Sequence, residues 1–110
     1  MKNNFLDPLW RFFSRKQRPY RYLLVEELPD PLEAKTVYLQ NHQKIPWQAT
    51  FKCPCGCGDT IMLNLTTGYR PRWQFKPDKK TLTISPSIRR TEGCKSHFFL
   101  RRGKVEWCED

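Results

Sequence analysis

The chemistry written most plainly into this sequence lies in Cys53-Pro54-Cys55-Gly56-Cys57-Gly58, where three thiols alternate with residues suited to a tight turn. Glycine reaches backbone angles closed to other residues, so such a loop can turn several sulfurs toward one point. Zinc takes thiolates at about 2.3 Å in a tetrahedral shell, and structural sites close that shell with Cys or His. The loop supplies two or three ligands. A second turn, Gly93-Cys94-Lys95-Ser96-His97, supplies the remainder. Two shells are open: Cys53, Cys55, Cys57 and Cys94, or a set in which His97 replaces one cysteine of the loop. The arrangement follows zinc-ribbon logic without the usual C-x-x-C spacing. Cys108, beside Trp107, reads as a small buried hydrophobe. Unliganded thiols and an iron–sulfur cluster are the competing readings of the loop; zinc is the expected cofactor.

Ser85-Pro86-Ser87 is the second constellation. Proline stiffens the turn and can fix a neighbouring hydroxyl in an exposed position. A serine becomes a nucleophile when a histidine accepts its proton and a third group orients that histidine. Ser87 and Ser85 are the candidate nucleophiles, Ser87 preferred. His97 is the candidate base, with Glu106 or Asp59 to orient it. The bland alternative is an ordinary Ser-Pro-Ser turn and a His97 that ligates zinc. A zinc with three protein ligands could itself activate water. The residues leave a serine-type and a zinc-assisted hydrolase both open.

These groups must be held by short strands. The chain has 110 residues, enough for one hydrophobic core and too few for a second of useful size. Four Trp, seven Phe and four Tyr bring large buried areas in few residues, while nine Pro and five Gly interrupt the chain often. Strands are expected over Tyr20–Val25, Thr36–Leu39, Trp47–Lys52, Thr60–Leu65, Trp73–Lys76, Thr81–Ile84, His97–Leu100 and Lys104–Trp107. Trp47–Lys52 and Thr60–Leu65 alternate apolar with polar residues, as half-buried strands do. Pro77-Asp78-Lys79-Lys80 and Arg101-Arg102-Gly103 read as turns. The expected fold is mostly β, a small antiparallel sheet or sandwich around one zinc site. Residues 1–19 form an N-terminal arm, and residues 20–110 the zinc-binding β domain. Asp7-Pro8 with Leu6, Leu9, Trp10 and Phe13 predicts one short amphipathic helix in the arm, docked on the core.

No apolar run approaches a membrane span, and the N-terminus shows no secretory signal. The cytoplasm is the expected compartment, and there clustered cysteines point to metal rather than disulfides. Five cysteines, moreover, cannot all pair within one chain. The formal charge of +9 favours an acidic partner. The Lys and Arg residues are scattered, so a solvated surface accounts for them as well as a nucleic-acid footprint does.

One ordered set of motifs carries a family resemblance. Trp47-x3-Phe51-x-Cys53-Pro-Cys-Gly-Cys-Gly58 is followed by Ile61-x-Leu63-Asn64-Leu65, Pro71-x-Trp73 and Thr81-Leu82-Thr83-Ile84-Ser85-Pro86-Ser87-Ile88. Gly93-Cys94-x-Ser96-His97-Phe98 and Gly103-x-Val105-x-Trp107 complete the series. Over about residues 35–108 the chain resembles a small bacterial family of unassigned domains. Its members are encoded beside ubiquitin-like, activating-enzyme-like and conjugating-enzyme-like proteins in operons linked to phage defence. The resemblance implies a peptidase that processes or removes the ubiquitin-like protein, with that protein or its conjugation enzymes as partners. A non-catalytic zinc module that binds a protein is the first alternative. A nucleic-acid-binding zinc domain, resting on charge and exposed aromatics, is the second.

Overall fold

The computed structural model describes residues 18–109. Eight strands form two four-stranded sheets. The first sheet holds β1 (Arg21–Val25), β2 (Thr36–His42), β3 (Ile45–Lys52) and β4 (Thr60–Asn64), side by side in that order. The second holds β5 (Gln74–Asp78), β6 (Thr81–Arg89), β7 (His97–Arg101) and β8 (Lys104–Trp107), again in chain order. Among the described residues there is no helix. The helix expected around Leu6–Phe13 lies outside them.

Alternation decides which faces meet. Leu39, Ala49, Phe51, Ile61 and Leu63 point inward from the first sheet, and Leu82, Ile84, Ile88, Phe98 and Leu100 from the second. They join in one core with Tyr20 and Cys53. Tyr20 packs edge-on against Phe51, with ring centroids 5.7 Å apart, and its hydroxyl donates to Lys52 O at 2.9 Å. Its backbone N–H donates to Gly103 O at 2.7 Å, and Gly103 N–H donates to Leu82 O at 2.8 Å. These bonds tie the start of the first sheet to the second.

The expectation of a mostly β fold holds, with two corrections. The pairing is antiparallel throughout except between β1 and β2, which run parallel. Arg21–Val25 returns to Thr36 through the Pro-rich segment 26–35, long enough to bring the chain back to the same end. The run expected to stop at Ile84 continues to Arg89, so Ser85-Pro86-Ser87 lies within β6 and not beyond it. The chain crosses this segment by a bulge. Ile84 pairs with Leu100 and Ile88 with Phe98, leaving Ser85, Pro86 and Ser87 opposite Phe99 alone.

Candidate active site and metal centre

The bulge brings the first pair of reactive groups together. Phe98 and Leu100 face the core from β7, so His97 and Phe99 lie on the outer face of the second sheet. Ser87 precedes the core residue Ile88 and shares that outer face. In a regular ladder Ser87 would be only a diagonal neighbour of His97, because Arg89 stands directly opposite. A bulge adds residues to one strand and re-aims their side chains. Here Ser87 Oγ lies 3.0 Å from His97 Nε2, within hydrogen-bond distance. The indole Nε1–H of Trp73 donates to Ser87 O at 3.2 Å and holds the backbone of the bulge from the β5 side.

Ser85 is placed differently. It pairs with Gln74 of β5, is exposed, and borders a groove beside Trp73 instead of approaching His97. The two carboxylates offered by the sequence also lie elsewhere. Asp59 accepts from Arg90 Nη1 at 3.1 Å, and Glu106 accepts from Arg101 Nη1. Each carboxylate is thus held by an arginine.

The second constellation gathers four sulfurs. The Sγ atoms of Cys53, Cys55, Cys57 and Cys94 all lie within 4.8 Å of one another. Cys53 Sγ is 3.5 Å from Cys55 Sγ and 3.6 Å from Cys94 Sγ. Four thiolates at about 2.3 Å from one ion would stand about 3.8 Å apart, so the spacing fits a tetrahedral metal. No disulfide joins these cysteines. Gly56 and Gly58 adopt φ of 90° and 89°, which lets the loop fold its sulfurs to one side. Cys53 is buried at the end of β3, while Cys55, Cys57 and Cys94 are more open. His97 is not part of this cluster, and neither is Cys108. Of the two shells open from sequence, the four-cysteine set is the one whose ligand atoms converge. These four residues could hold a metal ion.

Titration within the cluster is split. Hydrogen bonds from the Ser96 hydroxyl and backbone pull Cys94 down to about 6. Cys57 is pushed up to about 12: the Asp59 backbone N–H opposes the rise, but the thiols of Cys55, Cys94 and Cys53 and desolvation outweigh it. Burial pushes Cys53 upward as well. So many like charges cannot coexist at this spacing without a cation. A divalent ion would supply it, and Arg90 already supplies part, with Nη1 at 3.4 Å from Cys94 Sγ and 3.7 Å from Cys57 Sγ.

Sequence reasoning missed Arg90, Ser96 and Trp73. Ser96 Oγ is 3.1 Å from Cys94 Sγ, and Ser96 O accepts from Arg90 N–H at 2.8 Å. Ser96, the residue before His97, thus links the cysteine cluster to the start of β7. Its position in Gly93-Cys94-Lys95-Ser96-His97 was the available signal. Arg90 carried none, being one of many scattered basic residues, and Trp73 read only as a strand start within the Pro71-x-Trp73 motif.

A family model described as bacterial ubiquitination-like system serine protease (BubE) matches residues 24–108. No curated protein and no solved structure matches the chain. No helix of the described residues is long and apolar enough to cross a membrane.

Proposed function

Because the chain belongs to the BubE family of the bacterial ubiquitination-like system, we propose that it is a serine protease with Ser87 as nucleophile and His97 as general base. The observation that carries this reading is the 3.0 Å approach of Ser87 Oγ to His97 Nε2 on an outer sheet face. The substrate is a ubiquitin-like protein, cut at its tail or released from a conjugate. The surplus of Lys and Arg suits an acidic face on that partner or on its conjugation enzymes.

In this reading His97 carries its proton on Nδ1, so that Nε2 can accept. As Ser87 Oγ adds to the carbonyl carbon of the substrate, its proton passes to His97 Nε2. Collapse of the tetrahedral adduct breaks the C–N bond, and the leaving amine takes the proton from His97. Water then attacks the acyl-Ser87 ester, again giving a proton to His97, and the acid departs with Ser87 restored. The Trp73 bond to Ser87 O keeps the nucleophile in place during this exchange.

Zinc is the metal we assign to Cys53, Cys55, Cys57 and Cys94, since a compact all-thiolate tetrahedron suits it. Four thiolates fill such a shell and leave no open position for water, so the ion's part is structural. By joining the β3–β4 loop to the β6–β7 connection, it anchors the segment that leads into His97.

The test is labelling with a fluorophosphonate, followed by intact mass spectrometry, and incubation with a tail-extended ubiquitin-like protein of a bacterial ubiquitination-like system. Expected are one probe adduct on Ser87 and release of the extension, both lost in Ser87→Ala. Cleavage that survives Ser87→Ala but stops with a chelator would replace this mechanism with metal-assisted hydrolysis. No cleavage and no adduct would leave a zinc module that binds its partner.

A further inference from the structure

The groove beside Ser87 has a chemistry that the hydrolytic step does not use. It encloses about 480 Å³, inside the range of about 300–1,000 Å³ common for ligand sites. Leu65, Trp73 and Phe75 give it an apolar wall, Arg72 and Lys76 a basic one, and Ser85 borders it on β6. No carboxylate lines it. Arg72 donates from Nε to Leu65 O at 3.2 Å, which fixes the guanidinium at the groove. Among the described residues neither Arg72 nor Lys76 enters an ion pair. By contrast, the hollow at the far turn of the β5–β6 hairpin, around Lys79 and Lys80, has its Arg102 paired with Asp78 at 3.6 Å.

The groove is continuous with the candidate nucleophile. Trp73 lines it with its ring while donating to Ser87 O. Ser85 is two residues from Ser87 across the bulge of β6, a span of at most about 7 Å. A substrate segment lying along β6 therefore reaches the groove within about two to three residues of the bond being cut. An apolar side chain would gain from covering Trp73 and Phe75. A carboxylate beside it would meet a guanidinium that is held in place and has no acidic partner among the described residues.

We propose that this groove is the specificity site of the protease and takes an extended tail of the protein substrate, an apolar residue flanked by acidic ones. The proposal rests on Ser87 as nucleophile, since only then does the groove lie next to the scissile bond. It makes the electrostatic preference local to Arg72 and Lys76 and not a property of the whole basic surface.

The test measures binding on the Ser87→Ala protein by fluorescence anisotropy at about 0.15 M salt, where distant charges are screened. Two fluorescein-labelled short glycine peptides with a central phenylalanine serve as probes, one with flanking glutamates and one with flanking lysines. The glutamate probe is expected to bind at least about tenfold tighter, a difference of about 1.4 kcal/mol. Adding Arg72→Gln with Lys76→Glu should erase that preference. Adding Lys44→Gln with Lys104→Glu, the same change in net charge at the β2–β3 turn and on β8, should keep it. Equal affinities for the two probes, or equal losses in both double variants, overturn the groove assignment. Fluorophosphonate labelling of the wild-type chain separates the two readings. Labelling of Ser87 without probe selectivity sinks the groove alone, whereas absence of labelling removes the nucleophile and the groove's role with it.

Discussion

The cysteine cluster and the Ser87 bulge are neighbours in the chain, joined by the β6–β7 connection, yet they are held in place by opposite means. The four sulfurs converge from two loops, Cys53–Cys57 and the turn at Cys94, in which few backbone bonds fix the geometry. The Ser87–His97 pair sits on two strands of one sheet, with ladder bonds on both flanks and Trp73 bracing the irregular stretch. If the first region holds the proposed ion, that ion would fix its shape. The second needs only the fold. On the proposed function, the metal would contribute stability and the sheet position.

The largest effect should come from breaking the first region. We expect about one zinc per chain by elemental analysis, and loss of cooperative thermal unfolding in Cys53→Ser with Cys94→Ser. Structural zinc contributes about 10–16 kcal/mol of apparent free energy in small domains, more than most domains have in reserve. Acid should act in the same direction, because the ligands must stay deprotonated. In the metal-free cluster Cys94 is held at about 6 against an ordinary value of 9.0, so its contribution is full above 9.0 and lost as pH falls through about 6, and a bound ion would move that loss to lower pH. A variant lacking both cysteines that melts like the wild type would show that the fold needs no clamp.

Breaking the second region should give the reverse pattern. Ser87→Ala is expected to lower turnover of the tail-extended substrate at least about 1,000-fold, with zinc content and melting temperature kept. Ser85→Ala, on the groove side of the bulge, should cost at most about threefold. Equal losses in the two variants would mean that the Ser-Pro-Ser segment matters as a turn and not through one hydroxyl.

Much of this contrast was legible in the sequence, and the unread part has physical causes. Alternation and runs of β-branched and aromatic residues placed seven of the eight strands with ends within three residues, while β6 runs five residues past its expected end. Cys94 could be joined to the loop cysteines because clustered thiols and a Gly-led turn have few other uses. Ser87 and His97 could be paired as nucleophile and base, but the bulge that brings them together could not be read. That depends on two extra residues in β6, and a Ser-Pro-Ser stretch reads as a terminus when its continuation, Ile88-Arg89, is too short to signal a strand. The parallel pairing of β1 was invisible because pairing direction leaves no local mark. Arg90 and Arg72 looked alike among many basic residues. Only tertiary placement sets one against sulfur and the other in a groove.

Arg90 tests how far the two regions are coupled. It donates to Asp59 and reaches Cys94 and Cys57, and its backbone joins Ser96 next to His97. Arg90→Ala should lower zinc affinity about 10- to 100-fold in a chelator competition, as loss of groups supporting metal ligands commonly does. Turnover of the fully loaded protein should fall only a few fold. A much larger loss of turnover at full zinc occupancy would make Arg90 part of the chemistry and dissolve the division between clamp and bulge.

The smallest effect should fall at Glu106, which by sequence alone was a candidate to orient His97. It lies on β8 opposite Phe99, with its carboxylate taken by Arg101 at the β7–β8 hairpin. Both side chains of that pair are about half exposed, at 52% and 48%, and exposed ion pairs contribute about 0–1 kcal/mol. Arg101 also stacks on Phe99, 4.2 Å from the ring centroid, and keeps that contact when the carboxylate is gone. Glu106→Gln should therefore leave turnover within about twofold, with a melting temperature shift of a degree or two. A carboxylate that orients a catalytic histidine behaves otherwise, its amide costing about 10,000-fold by favouring the wrong tautomer. The pH profile sharpens the distinction. A Glu106 that acts through His97 would shift the pH at which activity appears, whereas a surface partner of Arg101 would not. A large loss of turnover in Glu106→Gln, with folding and zinc intact, would extend the reactive region from the β6 bulge across the second sheet to its edge strand.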